Sequence, residues 1–268
     1  MKFEIKKMKF EIKKDFEKGK RALVSVSGGM DSRVCLQKAV SVLGSKNVVA
    51  MSIYYGQKHN KELDYAKQNA DQLGVPHYIL DLTSIFQFNK NCCSLLQGSE
   101  KEIDHKSYTD QMRDKLEQGE KPISDAYVPF RNGLIISSLT AAAIQFNCDY
   151  VTLGAQNNDT NTEVNGKIIN NVYPDCDPVF IEFMAQAIYS GTGGKVEMVA
   201  PIYDLTKEEV AQEGVRYGMS KDDFKHTWSC YEGHEKECGT CGTCIDKIAA
   251  FKTIGFTDSE LTEHFESI

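Results

Sequence analysis

Residues 21–32 read RALVSVSGGMDS, and this stretch decides the fold. Its first half, residues 21–26, is a short apolar run of the kind that forms a buried strand. Two glycines follow at once and indicate a turn. Beyond the turn, apolar residues recur mostly at spacings of three and four, which predicts a helix ending at Gly44: Val34, Leu36, Ala39, Val40 and Leu43.

The following segments repeat this alternation of strand and helix. Residues 48–54 and 77–82 are apolar runs that predict a second and a third strand. Between them, a helix ending near Gly74 shows one apolar face: Leu63, Ala66, Ala70 and Leu73. A β-α-β-α-β order within about sixty residues predicts a Rossmann-like parallel sheet with helices on both faces, that is, an α/β fold.

The rest of the chain continues the pattern with longer interruptions. We predict strands at 150–154 and 196–202, helices at 132–146, 179–189 and 245–253, and a further helix opened by a capping box at Thr206. We therefore divide the chain into an N-terminal extension (1–20), an α/β domain (21–205) and a C-terminal helical region (206–268). Polar insertions at 84–125 and 155–178 are expected to be lid or site loops.

The N-terminal extension contains the heptapeptide MKFEIKK twice, at 1–7 and 8–14. We interpret the repeat as a duplication or an artefact, with Met8 as the natural start. The alternation of Phe10 and Ile12 predicts a short edge strand.

Composition narrows the class of protein. The chain has 268 residues, 41% hydrophobic and 26% charged, which is ordinary for a globular protein. No apolar run reaches the roughly 18 residues of a membrane span. The net charge of −7 argues against a general nucleic-acid binder, so nucleic acid is not expected as a partner. Without the apolar core of a secretory signal, a cytoplasmic location is expected.

The turn after the first strand has the chemistry of a phosphate-binding loop. Glycines allow close approach of the backbone to an anion, and the free N–H groups and dipole of the following helix favour its charge. Asp31 beside a phosphate would hold Mg²⁺, and we expect Asp31 and Ser32 to act in catalysis. The alternative is a tight, well-capped turn. We expect the nucleotide to contact Val26, Ser27, Gly28, Gly29, Met30, Asp31, Ser32, Arg33, Val34, Cys35 and Leu36.

Four of the nine cysteines lie close together near the C-terminus: Cys230, Cys238, Cys241 and Cys244. Four thiolates in one short loop suit a tetrahedral Zn²⁺ with bonds of about 2.3 Å, and such a closed set predicts a structural site. An iron–sulfur cluster and free thiols are the alternatives.

The phosphate loop resembles the pyrophosphatase (PP) loop of the N-type ATP pyrophosphatases, which include NAD synthetase, GMP synthetase and tRNA thiolation enzymes. Members cleave ATP to AMP and pyrophosphate and activate a carboxyl or carbonyl oxygen as an adenylate. The resemblance implies the fold of the adenine nucleotide alpha hydrolases.

Further segments are similar to the 7-cyano-7-deazaguanine synthase (preQ0 synthase) family, and together they span residues 22 to about 250. They are Tyr55-Gly56-Gln57-Lys58-His59 with Glu62 after it, Tyr127-Val128-Pro129-Phe130-Arg131-Asn132, Tyr173-Pro174-Asp175-Cys176, and Thr227-Trp228-Ser229-Cys230-Tyr231. The family's zinc cysteines map onto the four cysteines named above.

The resemblance implies an ATP-dependent carbon–nitrogen ligase. The family uses ammonia and two ATP-dependent activations to convert 7-carboxy-7-deazaguanine to the amide and then to the nitrile. ATP, Mg²⁺ and Zn²⁺ are the implied cofactors, and a homodimer is expected.

Several side chains of the similar segments are candidates for ligand binding. Arg131 would pair with the substrate carboxylate or a phosphate and act in catalysis, or else be a solvated charge. Asn132 would bind substrate or cap the next helix. Tyr173 and Asp175 would form hydrogen bonds with the edge of the heterocycle. The alternative is that this segment only forms a turn. Gln57 and His59 would orient the adenine or the ribose. The alternative is that they only form the start of a helix at the protein surface.

Two residues depart from the family pattern. Phe130 stands where the family usually has Gly, and Asp177 stands where Arg is common. A family-like enzyme that adenylates another carboxylate, or modifies a protein or nucleic acid, is therefore kept as an alternative. So are tRNA sulfur transfer on the same fold and a non-catalytic nucleotide-binding module.

Overall fold

The computed structural model describes residues 11–58, 60–156, 162–164, 167–169 and 172–268. Five parallel strands form one sheet in the order β3-β2-β1-β4-β7: β1 Ala22–Ser25, β2 Val48–Tyr54, β3 His77–Asp81, β4 Tyr150–Thr152 and β7 Glu197–Met198. Two short strands, β5 Thr162–Val164 and β6 Lys167–Ile169, pair antiparallel with each other.

The helices of the described residues are α1 Met30–Leu43, α2 Lys61–Gln72, α3 Thr83–Phe86, α4 Tyr108–Glu117, α5 Arg131–Gln145, α6 Pro178–Gly191, α7 Lys207–Arg216, α8 Lys221–Lys225, α9 Gly242–Thr253 and α10 Asp258–His264. Short 3₁₀ turns lie at Ser45–Asn47, Lys90–Cys92 and Pro174–Cys176. No helix in the described part of the chain is both long and apolar enough to cross a membrane.

Strand β1 lies at the centre of the sheet, and its four residues are all buried. Ala22 pairs with Val48 of β2 on one side and with Tyr150 of β4 on the other. The chain thus builds the sheet outward in two directions from β1. The strand order therefore reverses between β1 and β4. In such sheets, ligands bind in the crevice at the carboxyl ends of the two strands that flank the reversal.

Apolar side chains pack on both faces of the sheet, as the predicted α/β fold requires. Val24 belongs to a core shared with α1, α2, α7 and α9, whereas Leu23 belongs to a core shared with α5 and α6. The alternation of neighbouring β1 residues between two cores confirms the prediction of helices on both faces. The first core continues past residue 206, because α7 packs on α1 and α9 packs on α7.

The bounds of some elements differ from the prediction. The strand predicted at 196–202 is limited to Glu197–Met198. A turn begins at Pro201, whose ring nitrogen has no N–H to give to a ladder. Near the N-terminus, Ile12 is buried and Lys13 forms a bridge to Val199 at the sheet edge. Phe10 lies outside the described residues.

The segment 84–125 is more ordered than its polar sequence predicted. It contains α4, capped by the Ser107 hydroxyl, which accepts a hydrogen bond from the Asp110 N–H. Tyr108 and Met112 of this helix are buried in the second core. Helices α8 and α10 were not predicted either, because each is too short for its periodicity to be read.

Candidate functional site

A cleft opens at the carboxyl ends of β1 and β4, where the strand order reverses. Ser27, Gly29, Asp31 and Ser32 line it after β1, and residues 153–156 line it after β4. The opposite walls come from the residues after β2, from the start of α5 and from the cysteine-rich loop, residues 227–241. The cleft therefore lies where the sheet topology predicts a ligand site.

The turn after β1 is held by its own two serines. The Ser32 Oγ accepts from the Ser27 N–H at 3.1 Å and donates to the Gly29 carbonyl at 3.0 Å. The two hydroxyl oxygens, Ser27 Oγ and Ser32 Oγ, are 3.2 Å apart. These bonds fix the loop so that the N-terminus of α1 faces the cleft, where its first N–H groups and its dipole suit a bound phosphate.

Gly28 is required at its position by both conformation and space. Its φ of +85° is in the left-handed region, and a Cβ there would lie 2.1 Å from the Glu62 carbonyl oxygen. The Gly28 carbonyl accepts from the Trp228 N–H at 2.9 Å. The phosphate loop is thus packed between α2 and the cysteine-rich loop, with no room for a side chain.

Asp31 forms an ion pair with Lys207 at the start of α7. The Lys207 Nζ lies 2.8 Å from Oδ1 and 2.6 Å from Oδ2 of Asp31. Asp246, on α9, lines the same part of the cleft, and burial raises its pKa to about 6 although Lys207 opposes this. Two carboxylates and one ammonium group therefore meet beside the phosphate loop. Neither Lys207 nor Asp246 was singled out from the sequence, because both lie far from the loop along the chain.

The remaining residues of the predicted nucleotide segment differ in position. Val26 lines the cleft. The side chains of Met30, Val34, Cys35 and Leu36 are instead buried in the first core. Arg33 is also buried, and its guanidinium is 3.2 Å from Asp223 Oδ1. Only one face of α1 is directed at the cleft. The prediction that every residue from Val26 to Leu36 contacts the nucleotide is therefore wrong for the side chains buried in the core.

Arg131 lies across the cleft from the phosphate loop. Its Nη1 donates to the Tyr55 hydroxyl at 3.1 Å, and the guanidinium carbon lies 5.4 Å from the centre of the Tyr55 ring. Burial alone lowers the pKa of Arg131, but Tyr55 and Asp175 outweigh it and raise the pKa above its usual value. The cleft thus holds a permanent cation opposite the place of the phosphates.

Asn132 and Asp175 bind each other. The Asp175 Oδ2 accepts from the Asn132 backbone N–H at 2.8 Å, and the Asn132 side-chain amide donates to the Asp175 carbonyl at 3.2 Å. Asp175 thereby satisfies a free N–H in the first turn of α5 and fixes the helix that presents Arg131. Asn132 is the second residue of α5 rather than its cap.

The two departures from the family pattern have local explanations. Phe130 precedes α5 with a φ of 54°, a left-handed conformation that glycine adopts without strain. Its ring packs over Gly133 and meets Phe180 at 5.6 Å, and the side chain is 52% exposed. Asp177 caps α6, since its Oδ1 accepts from the Val179 N–H at 2.8 Å. The Asp177 carboxylate therefore stabilises the N-terminus of α6.

Three tyrosine hydroxyls meet at one end of the cleft. Tyr173 lies 3.0 Å from Tyr108 and 2.9 Å from Tyr231, and the Tyr108 and Tyr231 hydroxyls are 3.0 Å apart. Burial raises the pKa of all three phenols, so they stay neutral. The triangle joins α4, the loop before α6 and the cysteine-rich loop.

Gln57 and Glu62 follow β2 and line the cleft. The Gln57 side-chain oxygen accepts from the Tyr55 N–H at 3.0 Å, which makes it part of the turn. Glu62 is in the first turn of α2, and burial raises its pKa to about 7. His59, between them, lies outside the described residues.

The four C-terminal cysteines form one buried cluster. The Sγ atoms of Cys230, Cys238, Cys241 and Cys244 all lie within 4.8 Å of one another. A tetrahedral ion with bonds of about 2.3 Å needs ligand separations of roughly 3.8 Å, which the set matches after small adjustments. The N–H groups of Glu232 and Cys238 each point at Cys230 Sγ at 3.3 Å, as expected for a thiolate ligand.

A buried ion pair supports the cysteine-rich loop from behind. Lys247 Nζ is 2.5 Å from Glu237 Oε2, and both side chains are fully buried. The Glu237 Oε1 accepts from the N–H groups of Ser229 and Cys230. Burial would raise the pKa of Glu237, but Lys247 and His264 outweigh it and lower it to about 2. Glu237 thus fixes the loop segment that carries both Cys230 and Ser229 of the cleft wall.

The parallel sheet carries an SGGxDS loop at the point where its strand order reverses, with a carboxylate and a lysine beside the loop. These features define a PP-loop nucleotide-binding protein. The family model described as "Queuosine biosynthesis protein QueC" matches residues 21–255. The chain belongs to this family.

Curated relatives agree with that assignment. The chain is 35% identical over 241 residues to 7-cyano-7-deazaguanine synthase of Hahella chejuensis, covering 89% of this chain and 91% of that protein. It is 34% identical to the synthase of Caldicellulosiruptor bescii, covering 89% and 95%. It is 35% identical to 7-cyano-7-deazaguanine synthase 2 of Colwellia psychrerythraea, covering 89% and 97%.

Proposed function

We propose that this protein is a 7-cyano-7-deazaguanine synthase: an ATP-dependent ligase that converts 7-carboxy-7-deazaguanine and ammonia to the nitrile through the amide. The observation that carries the proposal is the cleft itself. It places a phosphate loop opposite a half-buried arginine in a chain that matches these synthases over nearly its whole length. The three relatives named above are 7-cyano-7-deazaguanine synthases, and the matching family is described as a queuosine biosynthesis protein.

A carboxylate is a poor electrophile because its negative charge repels a nucleophile and its oxygen is a poor leaving group. Transfer of AMP to that oxygen, with release of pyrophosphate, converts it into a phosphate ester that leaves readily. The loop Ser27–Ser32 would hold the pyrophosphate portion, since its N–H groups and the α1 dipole favour negative charge. Lys207 would neutralise the charge that develops on the departing pyrophosphate.

Arg131 would fix the acceptor carboxylate. Its guanidinium faces the cleft and is held by Tyr55, so its orientation is set before ligand arrives. A planar guanidinium binds a carboxylate through two parallel hydrogen bonds, which would aim one carboxylate oxygen at the α-phosphate. Tyr173 and the other two phenols would form a neutral, hydrogen-bonding wall for the heterocycle. Asp175 would act on Arg131 indirectly, by holding the start of α5.

Two metals fit the residues present. Asp31, with Asp246 nearby, would hold Mg²⁺, which would supply positive charge to neutralise the phosphates. The four clustered cysteines would bind Zn²⁺ as a structural ion, because they fill all four coordination positions with thiolates.

We also propose ammonia as the nitrogen donor, a cytoplasmic location and a homodimer. A reduced four-cysteine site suits a reducing compartment. The exposed apolar side chains Phe130, Val179 and Phe183 lie at or near the start of α6 and would suit burial against a second subunit.

The test is to incubate the purified protein with ATP, Mg²⁺, ammonium and 7-carboxy-7-deazaguanine and to follow products by mass spectrometry. The proposal requires amide, then nitrile, with AMP. AMP formation with no nitrile would overturn the assignment in favour of another product. The absence of AMP with this carboxylate, while ATP still binds, would favour a different carboxylate or a non-catalytic nucleotide-binding module.

A further inference from the structure

Glu62 is a carboxylate inside the reaction cleft for which the adenylation chemistry has no use. It lines the cleft in the first turn of α2, and its own carbonyl oxygen packs against Gly28 of the phosphate loop. Arg131 faces it electrostatically from the start of α5. Glu62 therefore lines the same cleft as Arg131, and its backbone lies beside the phosphate loop.

Its surroundings leave this carboxylate desolvated. Arg131 favours the charged form, Glu237 of the cysteine-rich loop disfavours it, and the Tyr55 phenol after β2 also faces it. Burial is the largest effect and outweighs the arginine, so that the pKa rises to about 7. Within the described part of the chain, the Glu62 carboxylate makes no ion pair within 4.0 Å. A group with these properties can accept and release protons near neutral pH.

We propose that Glu62 is the general base of the amine-dependent steps, removing protons from the nitrogen that joins the substrate. This inference rests on the proposed function. In the first half-reaction, ammonia attacks the carbonyl carbon of the acyl adenylate and a C–N bond forms. Glu62 takes a proton from the resulting ammonium nitrogen, the C–O bond to AMP breaks, and the amide carbonyl re-forms.

The second half-reaction needs a base again. After AMP is transferred to the amide oxygen, with release of pyrophosphate, the nitrogen bears two hydrogens and a positive charge. Glu62 removes the first proton and releases it to water. It then takes the second as the C–O bond to AMP breaks, which leaves the C≡N triple bond. One residue can serve both steps because the nitrogen occupies the same place in each.

The experiment separates adenylation from nitrogen transfer. Exchange of labelled pyrophosphate into ATP, with 7-carboxy-7-deazaguanine and no ammonium, reports adenylation alone. In Glu62→Gln we expect this exchange to stay within a few-fold of wild type, while amide formation falls by about 100-fold or more. Glu62→Asp keeps a carboxylate and should retain part of the rate. Asp64→Asn, an exposed carboxylate on the same helix, is the matched control.

The pH profile gives a second readout. With free ammonia held constant, wild-type kcat for amide formation should rise with pH through an apparent pKa near 7, as Glu62 loses its proton. This rise should disappear in Glu62→Gln.

Three outcomes would overturn the inference. Equal loss of exchange and amide formation, in a variant that melts like wild type, would make Glu62 a nucleotide-binding residue. A raised KM for the carboxylate with unchanged kcat would make it a substrate-binding residue. If kcat of Glu62→Gln still rises with pH through an apparent pKa near 7, the proton transfer belongs to another group. If wild type itself catalyses no exchange, the proposed function fails rather than the role of Glu62.

Discussion

The ammonium group of Lys207 lies 2.6 Å from the Asp31 carboxylate, although the two residues are 176 positions apart in the chain. This contact brings the first turn of α7 to the first turn of α1. It places a cation beside the phosphate loop, and it joins the C-terminal region to that loop. Adenylation should therefore depend on a residue outside the SGGxDS motif.

Lys207→Met should reduce the rate of ATP–pyrophosphate exchange by about 100-fold or more, because it removes a charge that stabilises the departing pyrophosphate. Lys221→Met is the control, since Lys221 is also ion-paired, to Glu260, but lies away from the cleft. Equal rates for Lys207→Met and wild type would show that Lys207 only neutralises Asp31 in the free protein.

Phe130 provides a stability test with an unusual sign. Glycine normally destabilises a protein relative to alanine, but the left-handed φ of 54° reverses the preference at this position. Phe130→Gly should therefore be more stable than Phe130→Ala by about 1 kcal/mol in the free energy of unfolding, measured with urea. Ala141 is an exposed position inside α5, and there Ala141→Gly should lower the free energy of unfolding. A less stable Gly variant at 130 would contradict the assigned backbone conformation.

The cysteine cluster predicts one bound zinc ion per chain by elemental analysis. Cys238→Ser should lose this metal and lower the melting temperature, because a structural site contributes directly to folding. Cys92→Ser, a partly exposed cysteine outside the cluster, should keep both the metal and the stability. Iron in place of zinc, with an iron–sulfur absorption band, would contradict the assigned metal.

The buried pair Glu237–Lys247 should be costly to break. Glu237→Gln leaves the Lys247 ammonium without a counter-charge in the core, so the free energy of unfolding should fall by about 3–5 kcal/mol. The double variant Glu237→Gln/Lys247→Met should lose less than Glu237→Gln alone, because no isolated charge remains. Glu263→Gln, on an exposed part of α10, is the control. Additive losses in the double variant would show that the two charges do not interact.

Much of the fold was predictable because the central strands and helices carry local signals. Strand β2 has the bounds predicted from its apolar run, and α1 ends at Leu43 with Gly44 as its C-cap, one residue from the predicted end. The capping box at Thr206 is present, with Glu209 completing it. Helix α4 was missed because its buried face includes Gln111 and its composition is mostly polar, so that packing rather than hydrophobic pattern decides its position.

Local patterns predicted the site only where its residues are adjacent in sequence, whereas Arg131, Asn132 and Tyr173, which also line the cleft, were expected from the family resemblance. The phosphate loop and the cysteine cluster each lie in one short segment, and the structure groups them as expected. Lys207 and Asp246 reach the phosphate loop through tertiary packing, which leaves no local signature. The segment after β2 carries part of the family resemblance, but the raised pKa of Glu62 results from tertiary burial, with Arg131 and Glu237 as the charges that face it.

The central claim is that a carboxylate oxygen of the substrate is transferred to AMP. The direct measurement is turnover of 7-carboxy-7-deazaguanine carrying ¹⁸O in both carboxylate oxygens, followed by mass spectrometry of the nucleotide products. The account predicts that each of the two AMP molecules formed per nitrile carries one ¹⁸O, the first from the acid and the second from the amide. Label in inorganic phosphate with formation of ADP, or AMP without label, would contradict it.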